Sequence, residues 1–260
     1  MLARSRSLKD VGLTDNEVSD EGAATLAGWK GLERLDLSYN RIADRGFKAL
    51  AGAAWAHEVR SLELGHNRAS ERGVDAFARR AAFSRLERLS MANMMISVEA
   101  MEDLAGSGWF GALHVLDITS TQLDQEALAA LTVKVREASW RELVIACNPL
   151  IGSEGFARLV RAPCMAGVRR LDARECGVGD AGAVALGEAS LPALHTIDLR
   201  GNGLGANAAH AMLDGVGLGG LRVAFLDALS FDRASVEAMR HTRAGRALHF
   251  LDVSGWHEGQ

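Results

Sequence analysis

Leu32–Glu58 reads LERLDLSYNRIADRGFKALAGAAWAHE, and its arrangement of apolar residues returns along the whole chain. Aligned on the first apolar position, units start at Leu8, Leu32, Val59, Leu86, Leu113, Trp140, Val168, Leu194, Leu221 and Leu248. The spacings are 24, 27, 27, 27, 27, 28, 26, 27 and 27. A period held that closely marks a repeat architecture, which has to be settled before any local reading. The fourth position of each unit is apolar, from Val11 and Leu35 to Ile197 and Leu251, with Ala224 the weak member. So is the sixth, from Leu13 and Leu37 to Leu226 and Val253, with Ala173 weak. Apolar residues at alternate positions over a few residues describe a short strand with one buried face. Three residues later an asparagine recurs at Asn16, Asn40, Asn67, Asn148 and Asn202, with Cys176 and Thr121 in the same place.

The second half of each unit has helical spacing. Asp44–Ala51, DRGFKALA, begins with an aspartate suited to an N-cap, and Phe47 and Leu50 lie on one helix face. Equivalent pairs include Val74/Phe77, Met101/Leu104, Phe156/Leu159 and Val236/Met239. Small residues precede them, among them Gly46, Gly73, Gly155 and Gly182.

The pattern L-x-x-L-x-L-x-x-N/C-x-L resembles the leucine-rich repeat, over residues 8–260. A unit of about 27 residues with a helix is similar to the ribonuclease-inhibitor type. The resemblance implies an α/β solenoid, a horseshoe of about ten units, with a parallel sheet on the concave face and helices on the convex face. An asparagine at the corner offers both a donor and an acceptor, enough to serve its own coil and the next. Met94, Leu229 and Trp256 cannot do this, so units four and nine are expected to be irregular.

Composition narrows the function. The 260 residues carry 29 basic and 33 acidic side chains, a net charge of −4, which gives no bulk basic character for nucleic acid. No apolar run is long enough to span a membrane, and the N-terminus lacks a signal-peptide core. Three cysteines without framework spacing point to a reducing, cytoplasmic compartment and no disulfide. Few prolines and abundant alanine and glycine suit a bacterial solenoid. The unbroken repeat reads as a single domain, 1–260. Residues 1–7 look like the tail of a preceding unit, and neither end carries a distinct cap. Solenoid ends expose core when uncapped, so either a polar helix turn and frayed ends suffice, or the chain is a fragment of something longer or a partner in end-to-end self-association.

The strand positions between the apolar ones should face the concave side. Midway between the two apolar positions they read Gly12, Asp36, Glu63, Ser90, Asp117, Val144, Asp172, Asp198, Phe225 and Asp252, six of ten acidic. Arg34, Arg88, Arg170, Arg174 and Arg200 flank them, with Tyr39, His66 and Glu175 nearby. Neighbouring strands lie about 4.8 Å apart, so Asp172 and Asp198 need compensating cations, which Arg170, Arg174 and Arg200 can supply. Such a face is either salt-bridged to itself in water or an interaction surface for a partner with exposed Lys or Arg. Val223, Phe225 and Phe250, with Trp256 beyond, add clustered apolar groups that either mark a contact site or are covered by the C-terminal tail or by a partner that extends the sheet. Trp29, Trp55 and Trp109 sit where the helix returns to the next strand, a packing position.

Catalytic and ligand motifs are weak. Gly201–Ala206 matches G-x-G-x-x-A after a strand, but it is the repeat corner and Asn202 belongs to the asparagine series. Gly215–Gly220 matches loosely in the wrong order for a phosphate cradle. His114, His195 and His249 share one register in units that are not adjacent, so they cannot converge on a metal. No nucleophile–base set can be placed by spacing. The reading is a non-enzymatic scaffold that binds a protein on the concave sheet, with no cofactor, no metal, no nucleic acid and no membrane. The alternatives are a regulator of a partner enzyme, similar to ribonuclease inhibitors or GTPase activators of this fold, and the recognition domain of a longer effector or signalling protein.

Overall fold

A computed structural model describes residues 8–227 and 231–254; Leu229, Trp256 and the first seven residues lie outside them. The chain divides into two compact units, Met1–Gln122 and Leu123–Gln260. The first contains strands β1 (Asp10–Gly12), β2 (Arg34–Asp36), β3 (Ser61–Glu63), β4 (Arg88–Ser90) and β5 (Val115–Asp117). Between them run helices α1 (Asp20–Ala27), α2 (Asp44–Ala51), α3 (Glu71–Arg80) and α4 (Val98–Gly106). The second contains α5 (Gln125–Lys134), β6 (Glu142–Val144), α6 (Gly152–Val160), β7 (Arg170–Asp172) and α7 (Gly179–Glu188). It continues with β8 (Thr196–Asp198), α8 (Ala206–Asp214), β9 (Val223–Asp227), α9 (Arg233–His241) and β10 (Phe250–Ser254).

Strands pair in parallel and in chain order within each unit. Leu35 lies opposite Leu62, and Leu62 opposite Leu89; in the second unit Leu143 faces Leu171, Leu171 faces Ile197, and Ile197 faces Ala224. This register puts equivalent repeat positions side by side, which is why the apolar residues form continuous buried rows. Leu35, Leu62, Leu89 and Leu116 are buried, as are the helix positions Phe47, Phe77, Met101 and Leu104. Consecutive helices pack on one another, α1 on α2 and α2 on α3 in the first unit, α6 on α7 and α7 on α8 in the second. The α/β repeat fold read from the sequence is therefore what the chain adopts.

At the corners within the described residues one residue leaves the strand in the left-handed region. Asp15, Tyr39, His66, Asn93, Ser120, Cys147 and Glu175 have φ between 53° and 58°, and Gly201 has 75°. A side chain there costs about 1 kcal/mol or more, and the residue that follows recovers it. Asn67 Nδ2 donates to its own coil at Leu64 O (2.8 Å) and to the previous coil at Leu37 O (2.8 Å), while Oδ1 accepts from Ile42 N (3.1 Å). Asn202 donates to Leu199 O and Ala173 O, both 2.8 Å, and accepts from Cys176 N and Val178 N. The asparagine thus serves its own coil and the preceding one, not the next as the sequence suggested. The reason lies in where partners stand: Nδ2 meets the carbonyls that end its own strand and the one before, and Oδ1 meets an amide of the earlier coil. Thr121 donates to Ile118 O and Cys176 Sγ to Ile145 O.

Unit four keeps the same turn, with Asn93 at φ 57° and Met94 buried. Its irregularity is chemical: Met94 brings no amide to the corner. In unit nine the strand runs five residues instead of three, and its corner falls outside the described residues.

The helix starts contain a second inter-coil contact. α2 spans the expected residues, but its N-cap is Ala43, and Asp44 is the first helical residue. The Asp44 carboxylate accepts from Ser70 N at 2.7 Å and Ser70 Oγ at 2.8 Å, at the start of the next helix. Asp20 does the same for Ala43 N (2.7 Å) and Gly46 N (2.9 Å), and Asp180 for Gly205 N (2.7 Å). Amides at the starts of α2, α3 and α8 are thus capped by the coil before, whereas α4, α5 and α9 carry their own caps in Ser97, Asp124 and Asp232.

This contact explains the small residues. A methyl at Gly73 would lie 2.5 Å from Asp44 Oδ1 and 2.9 Å from Asp44 Cα. Glycine to alanine inside a helix normally gains about 0.5–1 kcal/mol, but here overpacking reverses the sign. Gly73→Ala is expected to lose about 1–3 kcal/mol in urea denaturation, and a gain would show that the capping contact is not made. Asn202→Ala strands two amides and two carbonyls, and a loss of about 3 kcal/mol is expected; a loss below about 1 kcal/mol would deny the corner its structural role.

Candidate functional site

The side chains on the open sheet face fall into rows, because β6–β10 repeat the same register. In the second unit the row midway between the apolar positions holds Val144, Asp172, Asp198, Phe225 and Asp252, with Val144 opposite Asp172, Asp198 opposite Phe225 and Phe225 opposite Asp252. Asp172 and Asp198 are side by side, as expected, but they are only 5% and 6% exposed.

Two arginines cover them. Arg174 Nε donates to both oxygens of Asp172 (2.9 and 3.1 Å) and its Nη2 to Oδ2 (2.9 Å). It also lies 3.6 Å from Asp198 Oδ2. Arg200 Nε and Nη2 grip Asp198 at 3.0 and 2.5 Å. Both aspartates further accept from a backbone amide two residues on, Arg174 N and Arg200 N. Paired buried carboxylates would repel strongly without this clamp. The hydrogen bond to Asp172 holds the Arg174 guanidinium above its usual range, and Asp198 does the same for Arg200. The expectation of acids offered to a partner's Lys or Arg is therefore corrected at these two positions. Solvent meets the guanidinium planes and not the carboxylates.

The clamp continues into the aromatic patch. The Arg200 guanidinium stands 5.0 Å above the Phe225 ring, and Phe225 lies 5.6 Å from Phe250 at an interplanar angle of 56°. Phe250 is 51% exposed, and Phe225 and Val223 are half-buried. Arg174, Arg200, Phe225 and Phe250 thus form one strip across four neighbouring strands. Arg170 stands one position before Leu171 and reaches Glu142 at 3.4 Å, outside the clamp; Asp252 lies near Arg200.

The first unit is organised differently. Arg34 pairs with Asp10 at 2.5 Å and Arg88 with Glu63 at 2.7 Å, each on the preceding strand. Burial pushes the Glu63 carboxyl up, and the Arg88 hydrogen bond opposes it. Asp36 and Asp117 each turn back to cap the amide two residues later. Ser90 Oγ donates to Asp117 at 3.1 Å, and Tyr39 stacks on His66 with centroids 4.0 Å apart. The predicted residues of this unit are spent largely on one another.

The sequence reading passed over one row, at the position just before each strand. In the second unit it holds Arg141, Arg169, His195, Arg222 and His249. Comparing second positions across units, the signal that had been used only for its histidines, would have found it.

Among the described residues no group of three His, Cys, Asp or Glu is placed to hold a metal ion, and no helix is long and apolar enough to cross a membrane. Asn202, the centre of the dinucleotide-like Gly201–Ala206 stretch, is committed to the corner. Trp55 and Trp109 are buried and donate to backbone carbonyls of the preceding coil, Leu26 O and Ala81 O, which is a packing role.

A family model described as Leucine Rich repeat matches residues 4–27 and 32–51. No curated protein matches the sequence. Solved structures similar to the chain share little sequence with it. The yeast Rad7–Elc1 complex is 13% identical over 97% of this chain and 77% of that one, with a TM-score of 0.44. TLR13 in complex with ssRNA13 is 16% identical over 95% and 39%, with a TM-score of 0.48. The internalin InlF of Listeria monocytogenes is 14% identical over 96% and 88%, with a TM-score of 0.34.

The three cysteines differ in accessibility. All are free; Cys147 is half-buried at a corner, while burial pushes the Cys164 thiol up to about 11 and the Cys176 thiol up to about 12. Only the thiolate reacts readily. Brief treatment of the folded protein with iodoacetamide at mildly alkaline pH should therefore modify Cys147 alone by mass spectrometry, and all three after denaturation. Equal labelling of Cys176 in the folded state would contradict the corner packing.

Proposed function

We propose that this leucine-rich-repeat protein is a non-enzymatic docking platform that binds a protein partner on the open sheet face of its second unit. The observation that carries this reading is the strip Arg174–Arg200–Phe225–Phe250. Its guanidiniums are fixed by bidentate contacts to buried carboxylates, and its rings lie beside them with apolar surface open to solvent. Pre-positioned arginine and aromatic groups lose little conformational entropy on binding, and these residue types dominate interface hot spots. The pairing leaves Phe225 and Phe250 as the accessible anchors, with Val223 beside them, and Arg174 and Arg200 as hydrogen-bond donors. Asp172 and Asp198 serve as supports beneath, and Arg170 and Asp252 form the border. The paired residues Arg34, Asp36, Glu63, Arg88 and Asp117 of the first unit supply a more polar surface of lesser weight, since exposed pairs contribute about 0–1 kcal/mol.

A helix after each of the first nine strands and a period near 27 residues favour the ribonuclease-inhibitor type of repeat. The unpaired cysteines favour a reducing, cytoplasmic setting.

The test uses the purified chain as bait in a lysate of the cells that make it. Phe225→Asp and Phe250→Asp are compared with wild type and with Val216→Asp, which places the same charge at a residue that is 69% exposed. Removal of a hot-spot anchor costs about 2 kcal/mol or more, so capture should fall about thirtyfold for the phenylalanine variants and hold for Val216→Asp. An unchanged bound set for both phenylalanine variants, with circular dichroism intact, refutes the sheet face as the binding surface.

A further inference from the structure

The row before the strands behaves differently in the two units. Its members are neighbours in space, because each donates its backbone N–H to the carbonyl of the equivalent residue one coil earlier. In the first unit the chain of bonds runs Glu33 N to Lys9 O, Arg60 N to Glu33 O, Glu87 N to Arg60 O and His114 N to Glu87 O, at 2.7–2.8 Å. The charges alternate and cancel: Lys9 pairs with Glu33 at 2.6 Å, and Arg60 with Glu87.

In the second unit the same bonds run Arg169 N to Arg141 O, His195 N to Arg169 O, Arg222 N to His195 O and His249 N to Arg222 O, at 2.8–2.9 Å. Here no member is acidic. Arg141, Arg169, His195 and His249 are exposed, and Arg222 is half-buried. Among the described residues none of the three arginines forms an ion pair with a carboxylate. Arg222 Nη1 instead donates to Gly219 O and Leu221 O, and His195 Nδ1 donates to Ala193 O. The segments that lead into this row, residues 135–140, 161–168, 189–194, 215–221 and 242–248, contain one carboxylate, Glu137. Glu142, next to Arg141 in sequence, is held by Arg170.

Unpaired like charges on adjacent strands, about 4.8 Å apart, repel one another. A chain with a net charge of −4 contains acids enough to neutralise them, as its first unit does. We propose that this row docks an acidic peptide segment of the partner protein, laid across the strands beside Val223 and Phe250. The proposal rests on the sheet-face reading and adds the chemistry of what is bound. Five strands span about 19 Å, which about six residues of extended peptide cover. The adjoining row favours a narrow peptide over a nucleic acid: it reads Glu142, Arg170, Thr196, Val223 and Phe250, and its one cation already holds Glu142, so a broad polyanion would find little more to pair with.

Fluorescence anisotropy tests this on the whole chain, with a labelled poly-glutamate peptide of about ten residues as the probe. Poly-lysine of the same length and an oligo-dT of similar span are run beside it. Poly-glutamate is expected to bind, to weaken at least about tenfold from about 0.05 to 0.3 M salt, and to lose about tenfold or more with Arg141→Glu/Arg169→Glu. The charge-matched Lys134→Glu/Arg136→Glu should bind as wild type. Both arginines are exposed and have no side-chain partner, so thermal melting should show the first variant folded. No poly-glutamate binding, equal loss in the two double variants, or binding of poly-lysine as tight as poly-glutamate overturns the proposal. Oligo-dT bound more tightly than poly-glutamate through the same arginines overturns the peptide assignment. Failure here with Phe225-dependent capture intact sinks only the acidic segment. Loss of Phe225 dependence with arginine-dependent peptide binding retained sinks the aromatic anchor instead.

Discussion

A side-chain amide bonded to two coils at once is the contact on which the rest depends. Each repeat must leave its strand sharply, and it does so through a left-handed residue whose cost is about 1 kcal/mol. The Asn67 and Asn202 amides then tie the turned backbone to the coil before it. Without that tie the turn would be strained and its backbone groups would lack partners. With it, strands arrive in register, and register is what places Asp172 beside Asp198 and Phe225 beside Phe250.

The surface follows from the same constraint. Register brings like positions together, so any charge repeated in sequence becomes a charge repeated in space. The first unit answers by alternating sign, Lys9 with Glu33 and Arg60 with Glu87. The second answers for its aspartates by folding an arginine over each, two residues on. It makes no such provision for Arg141, Arg169 and Arg222. A surface that settles one repeated charge and leaves another open is built to meet something of opposite sign.

Periodic features were legible in the sequence. The strand alternation placed Leu35 and Leu62 in the core, and the i, i+3 pair Phe47/Leu50 set the bounds of α2, because both depend on residues close in the chain. What escaped was whatever depends on a residue about 26 positions away. Asp44 reads as a cap for its own helix, yet its carboxylate goes to Ser70. The backward reach of Asn202 to Ala173 could not be told from a forward one without the left-handed turn. The burial of Asp172 and Asp198 had a local signal, Asp-x-Arg in two successive repeats, which places the two side chains on one face with complementary charge. That motif speaks for charge compensation; the lid needs the strand register as well.

The two inter-coil contacts point in opposite directions along the chain: asparagine amides grip the coil behind, and aspartates such as Asp20 and Asp44 grip the coil ahead. Opening one coil therefore strips bonds from both of its neighbours, which makes the whole coil, rather than the separate helix or strand, the smallest piece that can detach at modest cost. At Met94, which brings no amide, the tie to the coil behind is absent and the packing of a buried side chain stands in its place.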